Sequence, residues 1–290
     1  MPLRYCGGKV SDCLVCLFYD AGGSNGDRWK RKEVAGDFQG SGTQVMADVI
    51  EGRNPVLEAL RSGRSVNRLL LASDTGRHSA VAEILRLARA ARIPVDYVHR
   101  SVIDNASMST AHQGVIAYAA AKDYVDLEDL LALSRKRGEP PLYCILDGIE
   151  DPQNLGAILR TADASGIHGV VIRSRRAVGL TAAVAKASAG AVEYVPVARV
   201  ANIAQTIETL KKNNVWVVGV DLGGAADYTQ MDFTAPTAIV IGAEGKGVSD
   251  LVRKRCDWIA SIPMKGRISS LNASVAAALV MYEAFRQRGW

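Results

Sequence analysis

The stretch that decides the fold is Leu142-Tyr143-Cys144-Ile145-Leu146-Asp147-Gly148-Ile149-Glu150-Asp151-Pro152-Gln153-Asn154-Leu155-Gly156. An apolar run gives way to a short polar turn. Pro152 then stands near the start of a helix, where its missing N–H is tolerated. Asp151 or Asn154 can cap that helix. The same strand–loop–helix rhythm continues to the C-terminus. Strands are expected at Leu142–Gly148, Val170–Ile172, Glu193–Val197, Val215–Asp221, Thr237–Ile241 and Trp258–Ile262, with helices in most of the gaps and Leu271–Arg286 closing the chain. Such alternation predicts an α/β fold with a mostly parallel sheet covered on both faces. Ligands of these sheets bind beyond the carboxyl ends of the strands. The loops after Leu146, Leu222, Ile241 and Ile262 are therefore where chemistry is expected.

Upstream, residues 122–141 read as a linker with one short helical piece, Leu127–Arg135, ending at Pro140-Pro141. Residues 46–121 read as a small α/β domain. A helix opens at Asn54-Pro55, strands lie at Asn67–Ala72, Val95–Val98 and Gly114–Ala119, and His78–Arg92 has helical spacing. Residues 46–122 carry ten Arg and Lys against seven Asp and Glu, and nine of the ten are Arg. Arginine offers a planar fork of donors suited to phosphate and to stacking on bases. The plainer reading is an outer helical face solvated by arginine. Residues 1–45 are Gly-rich, with a basic run Arg28-Trp29-Lys30-Arg31-Lys32 and no persistent period, and read as a mobile tail.

Composition bounds the rest. At roughly 100–200 residues per domain, 290 residues make about two domains. With 48% hydrophobic and 22% charged residues, the chain has an ordinary globular make-up, neither collagen-like nor mainly disordered. No apolar run approaches the roughly 18–20 residues of a membrane span. A net charge of +5 is a mild pull toward polyanions. Five cysteines, an odd count, point to a reducing, cytoplasmic setting. Cys13 and Cys16 form a C-x-x-C pair, but nothing nearby completes a metal site, so no metal is expected. Cys144 and Cys256 read as core residues.

The loops hold few of the usual catalytic parts. Asn154 and Arg160 are six residues apart on one helix, an amide and a guanidinium within a substrate's length; a cap plus a surface Arg would also account for them. Gly242-Ala243-Glu244-Gly245-Lys246-Gly247 matches neither the phosphate loop of nucleotide triphosphatases nor the dinucleotide fingerprint. Ser269, Ser270 and Asn272, three polar residues in four positions, crowd the start of the last helix, more than a cap requires. The four His lie outside these loops, and neither G-x-S-x-G nor H-E-x-x-H occurs.

Taken together, the loops resemble the three signature motifs of the SpoU (TrmH-like) branch of the SPOUT RNA methyltransferases. They are Asp151-Pro152-Gln153-Asn154-Leu155-Gly156 with Arg160-Thr161-Ala162; Ile241-Gly242-Ala243-Glu244-Gly245-Lys246-Gly247; and Ile262-Pro263-Met264 with Ser270-Leu271-Asn272-Ala273-Ser274. Lys186-Ala187-Ser188-Ala189-Gly190-Ala191 also fits. The match in order and spacing covers residues 142–290. Residues 46–121, opening Ile50-Glu51-Gly52-Arg53-Asn54-Pro55-Val56, resemble the substrate-binding domain of the members that modify large-subunit ribosomal RNA. The likeness is greatest to the bacterial 23S rRNA (guanosine-2′-O-)-methyltransferases.

The resemblance implies a methyltransferase domain whose sheet is tied in a trefoil knot, an exception to the rule against knots. It implies S-adenosylmethionine held by Gly242, Ile262 and Leu271, with Leu222 and Met264 as neighbours, and a homodimer. It implies 2′-O-methylation in 23S ribosomal RNA, or in a large-subunit assembly intermediate. Arg160, Asn154, Glu244, Ser270 and Asn272 would be the catalytic set. Arg160 would bind phosphate and stabilise charge rather than act as a base, since guanidinium stays protonated in proteins. Three alternatives stand beside this reading: a tRNA 2′-O-methyltransferase, an adenosine-specific resistance enzyme acting on ribosomal RNA, and a non-catalytic ribosome-assembly protein.

Overall fold

A computed structural model of the chain describes residues 48–76, 78–107, 110–268 and 270–289. The tail, its basic run and the Cys13–Cys16 pair lie outside the described residues. The first elements are β1 (Asp48–Glu51), α1 (Arg53–Arg61), β2 (Val66–Ala72), α2 (Ser79–Ala90), β3 (Val95–Val98), α3 (Arg100–Ala106) and β4 (Val115–Ala119). They form a four-stranded sheet in the order β1-β4-β2-β3. Side chains alternate across a strand. In β2, Leu69 and Leu71 accordingly join Val56, Val81 and Ile84 under α1 and α2, while Leu70 and Ala72 meet Ile103 of α3 on the other face. Neither β1 nor α3 is among the elements expected above. Each is short, four and seven residues, and β1 gains its ladder only from β4, over sixty residues away in sequence.

The chain continues through α4 (Leu127–Arg137), β5 (Leu142–Asp147), α5 (Pro152–Ala164), β6 (Gly169–Arg173), α6 (Ala182–Ala187), β7 (Val197–Val200), α7 (Ile203–Lys212), β8 (Trp216–Val220), β9 (Ala226–Asp227), β10 (Thr237–Gly242), α8 (Asp250–Arg253), β11 (Trp258–Ser261) and α9 (Ala273–Gln287). Seven strands make one sheet in the order β7-β6-β5-β10-β8-β11-β9, and every pairing in it is parallel. The alternation of β5 again sorts two cores. Leu142, Cys144 and Leu146 pack with α5 and α9; Tyr143 and Ile145 pack with α4, α7 and α8. Cys144 is buried in the first core as expected, whereas Cys256 is only partly buried against the second; burial raises both thiols, that of Cys256 to about 12.

One expected strand is displaced. The pattern of residues 193–197 predicts extended chain, but Ala191–Glu193 form a short 3-10 turn and the ladder begins at Val197. Pro196 has no N–H to donate, so it stands before the strand, where its carbonyl accepts from the Val170 amide.

Two features set up the site. The strand order reverses between β5 and β10, the position at whose carboxyl ends sheets of this kind bind their ligands. Strand β11 lies between β8 and β9, so the connection that runs from β8 through β9 back to β10 spans β11. The four-stranded sheet is fastened to the larger one by charge. The Arg64 guanidinium pairs with Asp48 and with Glu193, each at 2.7 Å, and donates to the Ala120 carbonyl. Lys122 Nζ donates to the Glu193 carbonyl at 3.0 Å. The Arg64 and Glu193 side chains are 7% and 1% exposed, so this is a buried ion pair. Tyr194 Oη donates to Glu58 Oε2 of α1 at 2.5 Å.

Candidate active site

Three elements bring one polar cluster together at the carboxyl edge. The first is α5. Asp151 caps it by accepting from the Gln153 amide at 3.0 Å, and Pro152 follows as the first helical residue. This start fixes Asn154 in the first turn, buried. Gly156 lets the helix sit close: a Cβ there would lie 2.3 Å from Ala187 Cβ and 2.9 Å from backbone atoms of Ala187 and Ser188.

The second element is the loop after β10. Ala243 and Gly247 exchange backbone hydrogen bonds at 3.1 and 2.9 Å, which throws Glu244 out at the tip. Gly242 closes the loop because a Cβ would come within 2.0 Å of the Gly247 carbonyl carbon. The third is the start of α9. Asn272 Oδ1 caps that helix by accepting from the Ser274 amide at 2.9 Å and the Val275 amide at 3.4 Å. Capping occupies its oxygen and leaves its Nδ2 hydrogens for the site.

Those hydrogens complete the cluster. Asn272 Nδ2 donates to Asn154 Oδ1 at 2.9 Å and also to Glu244 Oε1. Asn154 Nδ2 donates to the same Glu244 oxygen at 3.2 Å. Two amides thus converge on one carboxylate oxygen, and Glu244 Oε2 takes no part in the triad. A carboxylate has about four lone-pair sites, so the second oxygen can accept a substrate hydroxyl.

Arg160 and Ser270 are not in this cluster. Both are exposed, and neither is hydrogen-bonded to the triad. Six helical residues turn a side chain by roughly 600°, which leaves Arg160 roughly 120° around α5 from Asn154. It lies on the outer face of α5, next to Thr161. The five residues expected around a cofactor sit on the same edge. Gly242 ends β10, Leu222 and Ile262 follow the neighbouring strands β8 and β11, and Met264 and Leu271 lie between β11 and α9. Leu222 is 53% and Met264 37% exposed, so both offer apolar surface there.

Sequence reasoning missed one support. Asp147, the last residue of β5, is buried; its Oδ2 accepts from the Ser249 amide at 3.0 Å and from the Ser249 hydroxyl at 2.5 Å. This ties the far end of the Glu244 loop to β5. The signal was present in principle, an acidic residue closing an otherwise apolar strand. Among the described residues, no group of three or more His, Cys, Asp or Glu is placed to hold a metal ion.

Residues 141–282 match the SpoU rRNA methylase family, and residues 49–125 match the RNA 2′-O ribose methyltransferase substrate-binding family. The chain is 48% identical over 241 residues to a Bacillus subtilis protein named as TrmH family tRNA/rRNA methyltransferase YacO, spanning 83% of this chain and 96% of that one. The chain belongs to the SpoU (TrmH) family of RNA methyltransferases. A Staphylococcus saprophyticus protein named for the same family is 50% identical over 242 residues, 83% of this chain and 96% of its own. Among solved structures, the SpoU methyltransferase AviRb of Streptomyces viridochromogenes, in complex with AdoMet, superposes with a TM-score of 0.72 at 28% identity, over 84% of this chain and 91% of that one. An AdoMet-bound rRNA methyltransferase of Sinorhizobium meliloti gives a TM-score of 0.67 at 26% identity, over 83% of this chain and 87% of its own. Both matched families are thus SpoU-type, and each corresponds to one of the two sheets. Asn154, Glu244 and Asn272 come from the three motifs on which the resemblance rests.

Proposed function

We propose that this SpoU methyltransferase transfers the methyl group of S-adenosylmethionine to a ribose 2′-hydroxyl of 23S ribosomal RNA, on a guanosine, and works as a homodimer. The Asn154–Glu244–Asn272 cluster carries the reading. It is an uncharged-plus-carboxylate set suited to orienting a hydroxyl, and it lacks a hydrolytic nucleophile.

The residues fit the cofactor. An adenosyl and methionyl group needs apolar walls and backbone polar groups rather than metal ligands or a phosphate cradle. Leu222, Met264, Ile262 and Leu271 supply apolar surface, and the tight Gly242–Gly247 loop exposes backbone. When bound, S-adenosylmethionine supplies a methyl group already activated on a sulfonium centre, so positioning dominates what the protein adds.

The side chains have separable tasks. Glu244 Oε2 accepts the hydrogen bond of the 2′-hydroxyl and fixes the direction of its lone pair. Asn154 and Asn272 hold Glu244 in that orientation. Arg160 binds the adjoining phosphate and stabilises the developing alkoxide electrostatically, and Ser270 completes the wall beside Asn272. The proton leaves to phosphate or water.

The outer faces of α5 and α9 support the dimer. Val275, Leu279 and Tyr282 are 47%, 38% and 49% exposed, beside Ala157 and Thr161. An apolar stripe of this kind on paired helices suits a self-complementary contact, and Arg160 stands at its rim. The strand order, with β11 between β8 and β9 and β10 on the other side of β8, supports a trefoil knot. The substrate-binding match and its fastening to the catalytic sheet support a large folded RNA over tRNA.

Purified protein, tritiated S-adenosylmethionine, unmodified 23S rRNA and bulk tRNA test the reading. Label recovered as 2′-O-methylguanosine in the ribosomal RNA is the expected result. Label confined to tRNA would overturn the substrate assignment, and neither label nor cofactor binding would overturn the activity.

A further inference from the structure

Beside the triad, the turn after β6 concentrates positive charge that the reading above does not use. Arg173 ends β6, and Arg175 and Arg176 follow at once. Leu146 of β5 pairs with Ile172 of β6, the next residues, Asp147 and Arg173, form an ion pair at 3.5 Å, and Asp147 itself pairs with Gly242 of β10. The three carboxyl ends are therefore level. Neighbouring strands lie about 4.8 Å apart, so Arg173 is about 10 Å from Gly242, across β5. That is the reach of a nucleotide next to one seated at Glu244.

The turn is built, not frayed. Arg199 of β7 donates to the Ser174 carbonyl at 3.0 Å and lies over the Tyr124 ring at 5.2 Å. The Val178 amide donates to the Ile149 carbonyl at 3.0 Å, fastening the turn to the loop that leads into α5. Arg176 has a φ of 54°, a left-handed conformation that larger side chains seldom adopt. Arg175 and Arg176 are exposed, and among the described residues neither has an ion-pair partner. Arg173 stands 3.5 Å from Asp147 Oδ1, while Asp147 Oδ2 is bonded to Ser249. The Arg173 side chain is 36% exposed. The opposing charges nearby are Asp147, which is buried, and Glu150 and Asp151 on the adjacent loop, of which Asp151 caps α5.

We propose that the Arg173-Ser174-Arg175-Arg176 turn is a second anion site that binds the backbone phosphate of substrate RNA flanking the target ribose. The proposal rests on the reading of the chain as an RNA methyltransferase. Guanidinium groups match phosphate oxygens in paired hydrogen bonds, which suits them to fixing register without reading sequence. Arg173 is also joined through Asp147 and Ser249 to the loop that presents Glu244. A phosphate on this turn would thus meet a scaffold continuous with the site.

The test measures affinity for an unmodified 23S rRNA transcript against salt concentration, for wild type, R175Q/R176Q and K136Q/R137Q. The last pair removes the same charge from α4, which leads into the amino end of β5, the opposite edge of the sheet. R175Q/R176Q should bind about tenfold more weakly at low salt, and its log affinity against log salt should flatten by about 0.7–0.9 for each phosphate that the turn no longer neutralises. K136Q/R137Q should follow the wild-type line. A wild-type slope in R175Q/R176Q, or an equal change in both variants, overturns the proposal. Methyl transfer by the wild type in the same preparation tests the enzyme reading separately: its absence alongside a flattened slope would remove the activity and leave the anion site standing.

Discussion

Asn272 does two jobs with one amide, and substitution can separate them. Its oxygen caps α9; its Nδ2 hydrogens hold Asn154 and Glu244. Serine caps helices about as well as asparagine but has no second arm to reach Glu244. In N272S the cap therefore survives, and stability should stay within about 0.5 kcal/mol of wild type. In N272A the cap is lost as well, at a cost of about 1 kcal/mol, a fall in Tm of about 2–4 °C for a protein of this size. For activity, a hydrogen bond to a charged group contributes about 1.5–3 kcal/mol, or about 10- to 150-fold in rate. Asn272 is solvent-exposed, so water competes and the lower end applies: about tenfold. Denaturant unfolding and single-turnover methyl transfer at saturating RNA measure the two effects. N272S should be as stable as wild type and about tenfold slower. Full activity in N272S would refute the role of the amide in orienting Glu244. Equal destabilisation in N272S and N272A would refute the cap.

Three further outcomes follow from packing and charge. R64A leaves the buried Glu193 carboxylate without its main partner and should cost about 3–5 kcal/mol; R64M/E193M should recover much of that, and denaturant titration of both variants decides the matter. Burial holds the His168 imidazole below its ordinary value, with Arg137 adding to the shift, while its Nδ1 accepts from the Leu142 amide. The unfolded chain takes up that proton near pH 6.5 and the folded one only at lower pH, so stability is full above about 6.5 and falls as pH drops below it. H168Q should flatten that decline in urea titrations run above and below this pH, and an unchanged slope would rule His168 out as its source. G156A places a methyl against Ala187 and should cost about 1–3 kcal/mol by forcing α5 and α6 apart, a loss that thermal unfolding would register.

Much of the architecture was legible because its causes are local. Apolar runs of four to six residues, Pro152 at a helix start, and Asp151 and Asn272 at caps all act within a turn or two of the chain. Most strands of the large sheet fall close to where their apolar runs lie; the exceptions are 193–197, where Pro196 delays the ladder, and the two-residue β9, which has no apolar run of its own. The short β1 and α3 escaped because they carry little periodicity of their own. The site was legible only in part. The motifs point to Asn154, Glu244 and Asn272, and the structure brings these three together. Arg160 and Ser270, from the same motifs, stand outside the cluster, because helical rotation separates Arg160 from Asn154 despite their nearness in sequence.

By itself, then, the sequence determined the strand–loop–helix rhythm, the family, the caps and the glycines that the tight loops require. The tertiary structure decided which of those loops meet. Asn154 and Glu244 are 90 residues apart and Asn154 and Asn272 are 118 apart, yet they share hydrogen bonds. Arg64 and Glu193, 129 residues apart, bury their charges against each other and fasten the small sheet to the large one. Hydrogen bonds and ion pairs of this kind depend on distances of about 3 Å between side chains. Parallel strand order sets those distances, and no local pattern in the chain encodes that order.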